Sequence, residues 1–325
     1  MDTKTRKGRR MYASHFGLQR KPFSLQPDAS FMYMGRRHKL AFHLLQYGLL
    51  DGTALSVITG EIGAGKTTLI QYLTRTIVDD IEMGIVTHTH SNFGHIMRSI
   101  AGAFGIPGSD VDYHSLYERF VARLREIYQS GKRAVLVIDE AQNLSVDTLE
   151  EMRMLLNINT GEHVVLQVIL VGQPQLLEML KRPELVQLVQ RIGISHHLET
   201  LDVQETMAYI RHRLRLAGAT RDVFNDLACA AVHYFSNGTP RLINQLCDFA
   251  LVYAYSDDHE AVTFETVFEV AETRLGSGLS ALRPLPAGGS AESLKQQLMG
   301  QLYGSPQRTG SAPRAVQTGT DGTSS

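Results

Sequence analysis

The sequence predicts a parallel five-stranded α/β sheet with helices on both faces, followed by a small all-helical domain. Three observations carry that expectation. Short, almost wholly apolar segments alternate with helical patterns up to about residue 201, as in parallel sheets covered on both sides. A glycine-rich turn, TGEIGAGKTTLI at 59–70, follows the first of them. After residue 201 the strand patterns stop and only helical periodicities remain.

Residues 1–11 are polar and basic, with Lys4, Arg6, Lys7, Arg9 and Arg10, and read as a disordered arm. An arm of this kind can be simply solvated or can touch nucleic acid or an anionic surface. No apolar stretch follows it, so it is not a secretory leader. Residues 12–35 are rich in aromatic and turn residues, and the next stretch, to residue 50, reads as a helix with Leu40, His43, Leu44 and Tyr47 on one face. The expected strands are 55–60, 83–90, 134–140, 164–173 and 194–201, with helices between them. Asp202 and Glu205 form a capping-box pattern that opens the helical domain. Further helices are expected near 222–235, 240–255 and 263–275.

The organisation is therefore an arm (1–11), an α/β core with its N-terminal linker (12–201), a helical lid domain (202–275) and a mostly disordered tail (276–325). Within that tail, Leu294, Leu298 and Leu302 recur every four residues and suggest a docking helix for a partner. The formal charge is −1 and 43% of the 325 residues are hydrophobic. The chain as a whole is not a polycation built for nucleic acid. No apolar run reaches the length of a membrane-spanning helix. Cys229 and Cys247 fit no zinc spacing and read as reduced core thiols of a cytosolic protein. His88 and His90, two apart on a strand, and His196 and His197, adjacent, have no clustered carboxylate and make poor metal ligands.

The chemistry begins at GEIGAGKT, residues 60–67, which matches the phosphate-binding loop (Walker A) pattern without a mismatch. Gly60, Gly63 and Gly65 allow the tight turn. Glu61, Ile62 and Ala64 complete a run of backbone N–H groups that, with the following helix N-terminus, attracts phosphate. Lys66 is expected on the β- and γ-phosphates and the Thr67 hydroxyl on Mg²⁺. Thr68 lies beside them but reads as a structural helix residue. The second element is AVLVIDEAQN, 134–143, a Walker B pattern. Its strand delivers Asp139 and Glu140 at the carboxyl end, where ligands sit in open α/β sheets. Asp139 is the expected Mg²⁺ partner, and Glu140 the group that deprotonates or orients the attacking water. No Asn-Lys-x-Asp guanine motif is present, which favours ATP over GTP.

Together with FGLQRKPFSLQPDASFMYMGRRHKLAFHLLQYGL, LEEMRMLLNINT, LQVILVGQPQL, LVQRIGISHHLETLD, YIRHRLRLAGA and NGTPRLINQLCDFAL, these motifs resemble the AAA+ superfamily of P-loop NTPases over about residues 15–275. More narrowly, the sequence resembles the ATPase of the general secretion pathway protein A family, which includes ATPases of exopolysaccharide and exosortase loci.

The resemblance implies a Mg²⁺-dependent ATPase and adds three roles. Gln173 is the sensor 1 residue beside the γ-phosphate. Arg191 is an arginine finger for a neighbouring subunit's nucleotide, with Arg182 as the competing candidate. Arg241, opening a lid helix after Pro240, is sensor 2. A finger acting in trans requires an oligomer. AAA+ proteins usually form rings, often hexamers. The resemblance further implies a cytoplasmic protein that energises or regulates an envelope export system for protein or exopolysaccharide. It would be held at the inner membrane by a partner protein. Secretion-type members continue into a transmembrane helix and a periplasmic region. A polar tail fits the exosortase-type members better. The competing reading is a DNA-associated ATPase of the transposition target-selector type, with Arg36, Arg37 and Lys39 as a basic stripe. Phe16, Phe23, Phe31 and Tyr33 are expected either to pack the N-terminal segment or to flank the adenine.

Overall fold

The structure is a computed structural model. It describes residues 11–77, 80–87, 93–108, 111–160, 163–278 and 280–304. The basic arm through Arg10, and His88 and His90, lie outside the described residues.

Five strands form one sheet: β1 (Leu55–Gly60), β2 (Ile81–Val86), β3 (Arg133–Ile138), β4 (Leu166–Gly172) and β5 (Ile192–Leu198). Their spatial order is 2-3-4-1-5 and every pairing is parallel. β1 is fully buried between β4 and β5. Such a strand has to be apolar on both faces, which is why LSVITG carries no alternation. Side-chain direction still alternates along each strand. Leu136 and Ile138 pack with α3 (Phe93–Ala103) and α4 (Tyr113–Gln129) on one face. Val135 and Val137 pack on the other face with α1 (Arg36–Asp51) and α2 (Lys66–Thr76). In α4, Leu116, Phe120, Leu124 and Ile127 recur at helical spacing and are all buried. α5 (Val146–Leu155), α6 (Gln175–Leu180) and the single turn α7 (Val186–Val189) complete that layer.

The lid comprises α8 (Val203–Leu216), α9 (Asp226–Ser236), α10 (Pro240–Ser256) and α11 (Phe264–Gly276). The Asp202–Glu205 capping box is formed. Both cysteines are free and buried in the lid core, and burial pushes the Cys229 thiol up to about 12.

Several sequence expectations differ from the structure. The buried face of α1 is His38, Ala41, Phe42, Leu45, Gly48 and Leu49, whereas Leu40 and Tyr47 are exposed. The glycine that lets α1 approach Ile194 of β5 sets this face. β5 starts and ends earlier than expected, and a short antiparallel ladder, Asn159–Thr160 with His163–Val164, precedes β4. Beyond 276, the expected amphipathic segment is a helix, but its apolar face has a different partner. α12 (Ala291–Tyr303) is capped by Ser290 and lays Leu294 and Leu298 into the lid core, joined by Leu282. The leucine stripe read as a docking face is therefore covered by the chain's own lid. The N-terminal linker behaves alike: Tyr12, Phe16, Leu18, Phe23 and Phe31 are buried in that same core. The lid is thus sealed by sequence from both ends of the described chain.

Candidate active site

The phosphate loop joins the carboxyl end of β1 to the amino end of α2. Gly63 and Gly65 hold left-handed conformations with φ of 82° and 100°, which side chains other than glycine rarely adopt. Space is limiting too. A Cβ at Gly63 would lie 2.5 Å from the Arg241 Cβ, and one at Gly65 would meet the His38 ring at 3.1 Å.

Lys66 opens α2 and is buried. Its Nζ donates to the carbonyls of Gly60 (2.7 Å) and Glu61 (3.0 Å). Burial pulls its pKa below the usual lysine value, opposed by the nearby charges of Glu140, Asp139 and Glu61. The Thr67 hydroxyl donates to Asp139 Oδ2 at 2.7 Å, bridging 72 residues of sequence. Asp139 is buried at the end of β3, and its Oδ1 accepts the Glu140 N–H at 2.9 Å.

Glu140 has φ 54° and ψ 38°, a left-handed conformation costly for a residue with a side chain. Its Oε2 accepts the Gln142 amide at 2.6 Å and the Gln173 amide at 3.2 Å. Gln142 in turn accepts the Gln173 backbone N–H at 2.9 Å. The ends of β3 and β4 are thereby tied through one carboxylate.

The lid completes the cavity. Arg241 follows Pro240 at the start of α10, and its backbone N–H donates to the Gly63 carbonyl at 3.2 Å. Its side chain lines the cavity with Ile62, Lys66, Thr67, Thr68 and Glu140. The opposite wall is Leu25, Pro27, Phe31, Met32 and Tyr33 of the linker. The aromatic set thus divides: Phe31 and Tyr33 reach the cavity, while Phe16 and Phe23 pack only the lid core.

Arg191 is not brought to this site. It precedes Ile192, which pairs with Leu55 at the amino end of β1. The phosphate loop leaves the other end, roughly 20 Å away at the usual rise per strand residue. Arg191 is held by the Leu156 carbonyl at 3.3 Å and by the Asn157 side chain. Arg182 is exposed beside it in chain order.

A family model described as AAA domain matches residues 50–180. General secretion pathway protein A of Aeromonas hydrophila is 38% identical over 247 residues, which are 76% of this chain and 45% of that protein. The chain is an AAA+ protein similar to that relative. It spans less than half the length of that relative. Among solved structures, Cdc6p of Pyrobaculum aerophilum superposes with a TM-score of 0.61 at 16% identity, covering 76% of this chain and 70% of that one. The ORC2 protein of Aeropyrum pernix, solved as ADPNP–ADP complexes, gives 0.58 at 16% identity, covering 81% and 74%. At such identities these two share the AAA+ fold.

Three residues of this AAA+ site were not legible as such in the sequence. His38 reaches from α1 to within 3.0 Å of the Ala64 carbonyl. Burial depresses its pKa, so the ring is neutral near pH 7. Gln142 lies in the Walker B segment, but its clamp on Glu140 depends on β4. Arg213 of α8 is buried on the linker side of the cavity, donating to the Pro22 carbonyl (2.7 Å) and the Tyr209 hydroxyl (2.8 Å). An arginine every second position in RHRLRL gives no sign of which one turns inward; only the linker's position selects it.

Among the described residues no group of three histidine, cysteine or carboxylate side chains could hold a metal. His197 instead bonds the Thr59 hydroxyl at 3.0 Å. No described helix is long and apolar enough to cross a membrane.

Proposed function

We propose that the chain binds ATP with Mg²⁺ in this cavity and hydrolyses it. The observation that carries the reading is the Thr67–Asp139 contact beside Glu140, directly behind the phosphate loop. Two hard oxygen donors meeting at the end of a loop of inward N–H groups suit Mg²⁺. Thr67 and Asp139 would hold the ion, which supplies neutralisation of charge on the phosphate oxygens.

The chain's own residues do the rest. The loop N–H groups and the α2 terminus bind the phosphates. Lys66 exchanges the Gly60 and Glu61 carbonyls for β- and γ-phosphate oxygens. Glu140 takes a proton from the attacking water, and Gln173 orients the γ-phosphate beside it. Arg241 brings positive charge from the lid. Arg191 acts in the site of a neighbouring copy, since its own loop lies at the far end of β1. The active species is therefore a homo-oligomer, a ring by likeness to AAA+ proteins.

We further read the ATPase as serving an envelope export system at the inner membrane through a partner protein. The name and identity of the Aeromonas relative support this. A DNA-associated role is the weaker reading. Of the supposed basic stripe, Arg37 is already held by Glu199 at 3.0 Å and by the Thr200 carbonyl.

Steady-state hydrolysis of ATP and GTP, with and without Mg²⁺ and with and without duplex DNA, tests these statements. Turnover of ATP that needs Mg²⁺ and ignores DNA is expected. Lys66→Ala abolishes it. Glu140→Gln retains ATP binding and loses about 10²–10⁴-fold in turnover, the usual weight of a general base. Wild-type turnover in Glu140→Gln would remove Glu140 from the base role.

A further inference from the structure

Beside the nucleotide cavity, a second and wider groove of about 830 Å³ runs between the phosphate loop, the start of α10 and the segment after α11. Three arginines line it: Arg241, Arg274 and Arg283. Among the described residues none of the three sits on a carboxylate, whereas Arg37, Arg211, Arg221 and Lys295 each do. Arg274 lies over the Phe249 ring at 4.8 Å and reaches the Gln245 side chain at 3.4 Å. Its Nε is buried with no hydrogen-bond partner. Arg283 lies over Tyr234 at 4.7 Å. One acid, Glu61, shares the wall with them.

Stacked guanidiniums are oriented, and here Arg274 shares one N–H with Gln245 while the Arg283 fork has no carboxylate partner among the described residues, an arrangement that binds carboxylate or phosphate in a bidentate way. An unsatisfied buried donor such as Arg274 Nε is costly until an acceptor reaches it. The wall between the arginines decides between those two anions. Ile62, 61% exposed, lies here with Leu242 and Ala281. Apolar side chains at the floor suit a peptide that alternates acidic and apolar residues. A phosphodiester backbone offers nothing to cover them.

We propose that this groove is a docking site for an acidic, leucine-bearing peptide segment of a partner protein. Arg274 and Arg283 take its carboxylates, and Ile62 and Leu242 take its apolar side chains. Arg241 and Ile62 line the nucleotide cavity as well. An occupant of the groove therefore touches the residues that close on the phosphate loop, and docking alters ATP turnover. That last clause alone rests on the ATPase reading; the binding does not.

The test uses the full chain without nucleotide and a fluorescent peptide of alternating aspartate and leucine, followed by anisotropy up to millimolar peptide. Saturable binding that weakens with salt is expected. The double variant Arg274→Gln/Arg283→Gln should weaken it at least about tenfold, a loss of 1.4 kcal/mol or more. Arg283→Glu, a change at an exposed side chain, should act in the same direction with an unchanged thermal transition. Basal ATP turnover without peptide should be unaltered in both. Absence of binding, or equal binding to wild type and variants, overturns the proposal. So does tighter binding of labelled duplex DNA that is lost in the same variants, which would make the groove a phosphodiester site. A chain that binds the peptide but hydrolyses nothing would refute the ATPase reading and leave the groove standing.

Discussion

The two ends of the sheet are built very differently. At the carboxyl end, Thr67, Asp139, Glu140, Gln142 and Gln173 form one hydrogen-bonded network, and Lys66 beside it is held by the Gly60 and Glu61 carbonyls. At the amino end, Arg191 is parked on the C-terminal turn of α5, on a carbonyl and an amide. A carbonyl and an amide neutralise no charge, so this guanidinium keeps its full attraction for an anion. The contrast teaches that the site, which already holds Lys66 and Arg241, and Arg191 lie at opposite ends of one sheet. A parallel sheet keeps the two apart by its own length, and on the proposed reading a second copy joins them.

The largest effect should come from breaking the amino end. Arg191→Ala is expected to reduce ATP turnover by about 10³-fold or more, the usual weight of an arginine finger, with ATP affinity in the isolated chain little changed. Measuring nucleotide affinity and turnover separately checks this; a variant with normal turnover would make Arg191 a surface residue and turn attention to Arg182.

A smaller effect sharpens the contrast at the lid. Leu298→Ala in α12 removes a buried side chain from the lid core. It should cost about 2–5 kcal/mol in urea unfolding of that part of the molecule. No measurable loss would mean that α12 is not an integral part of the lid.

The smallest effect lies at His38. Its folded-state pKa is held below 6.5 by burial, so the unfolded chain binds a proton that the folded chain refuses. Stability should therefore be full above about pH 7 and fall as pH drops toward 5, by at most about 1.4 kcal/mol per pH unit for this group. His38→Asn should flatten the profile by that share. Burial also lowers His196, His212 and His233, which leaves a residual slope. A profile unchanged in His38→Asn would show that the ring is not the group responsible.

Much of this architecture was legible in the sequence, for identifiable reasons. A buried strand must be apolar throughout, so LSVITG and AVLVIDE announced themselves. A phosphate loop needs its glycines at fixed spacing, and the structure shows why: Gly63 is pressed by Arg241 and Gly65 by His38. What stayed hidden depends on contacts made at long range. The inward face of α1 is set by β5, and both periodic stripes of that helix contain apolar residues. The stripe of Leu294 and Leu298 is equally apolar whether it meets a partner or the lid. Only α9 and its neighbours, supplied by tertiary packing, decide that it is spoken for. His38 lies outside the Walker motifs, and Gln142 lies inside the Walker B segment without marking its clamp, since each acts on a group placed by another element.

The most direct test of the central claim mixes two inactive variants. Lys66→Ala cannot use its own site but keeps Arg191. Arg191→Ala keeps an intact phosphate loop but offers no finger. If the nucleotide is hydrolysed between copies, the mixture should recover part of the wild-type ATP turnover, and the recovery should rise with total protein concentration. A mixture no more active than the sum of its two components, at every concentration and ratio, would contradict a site completed by a second copy.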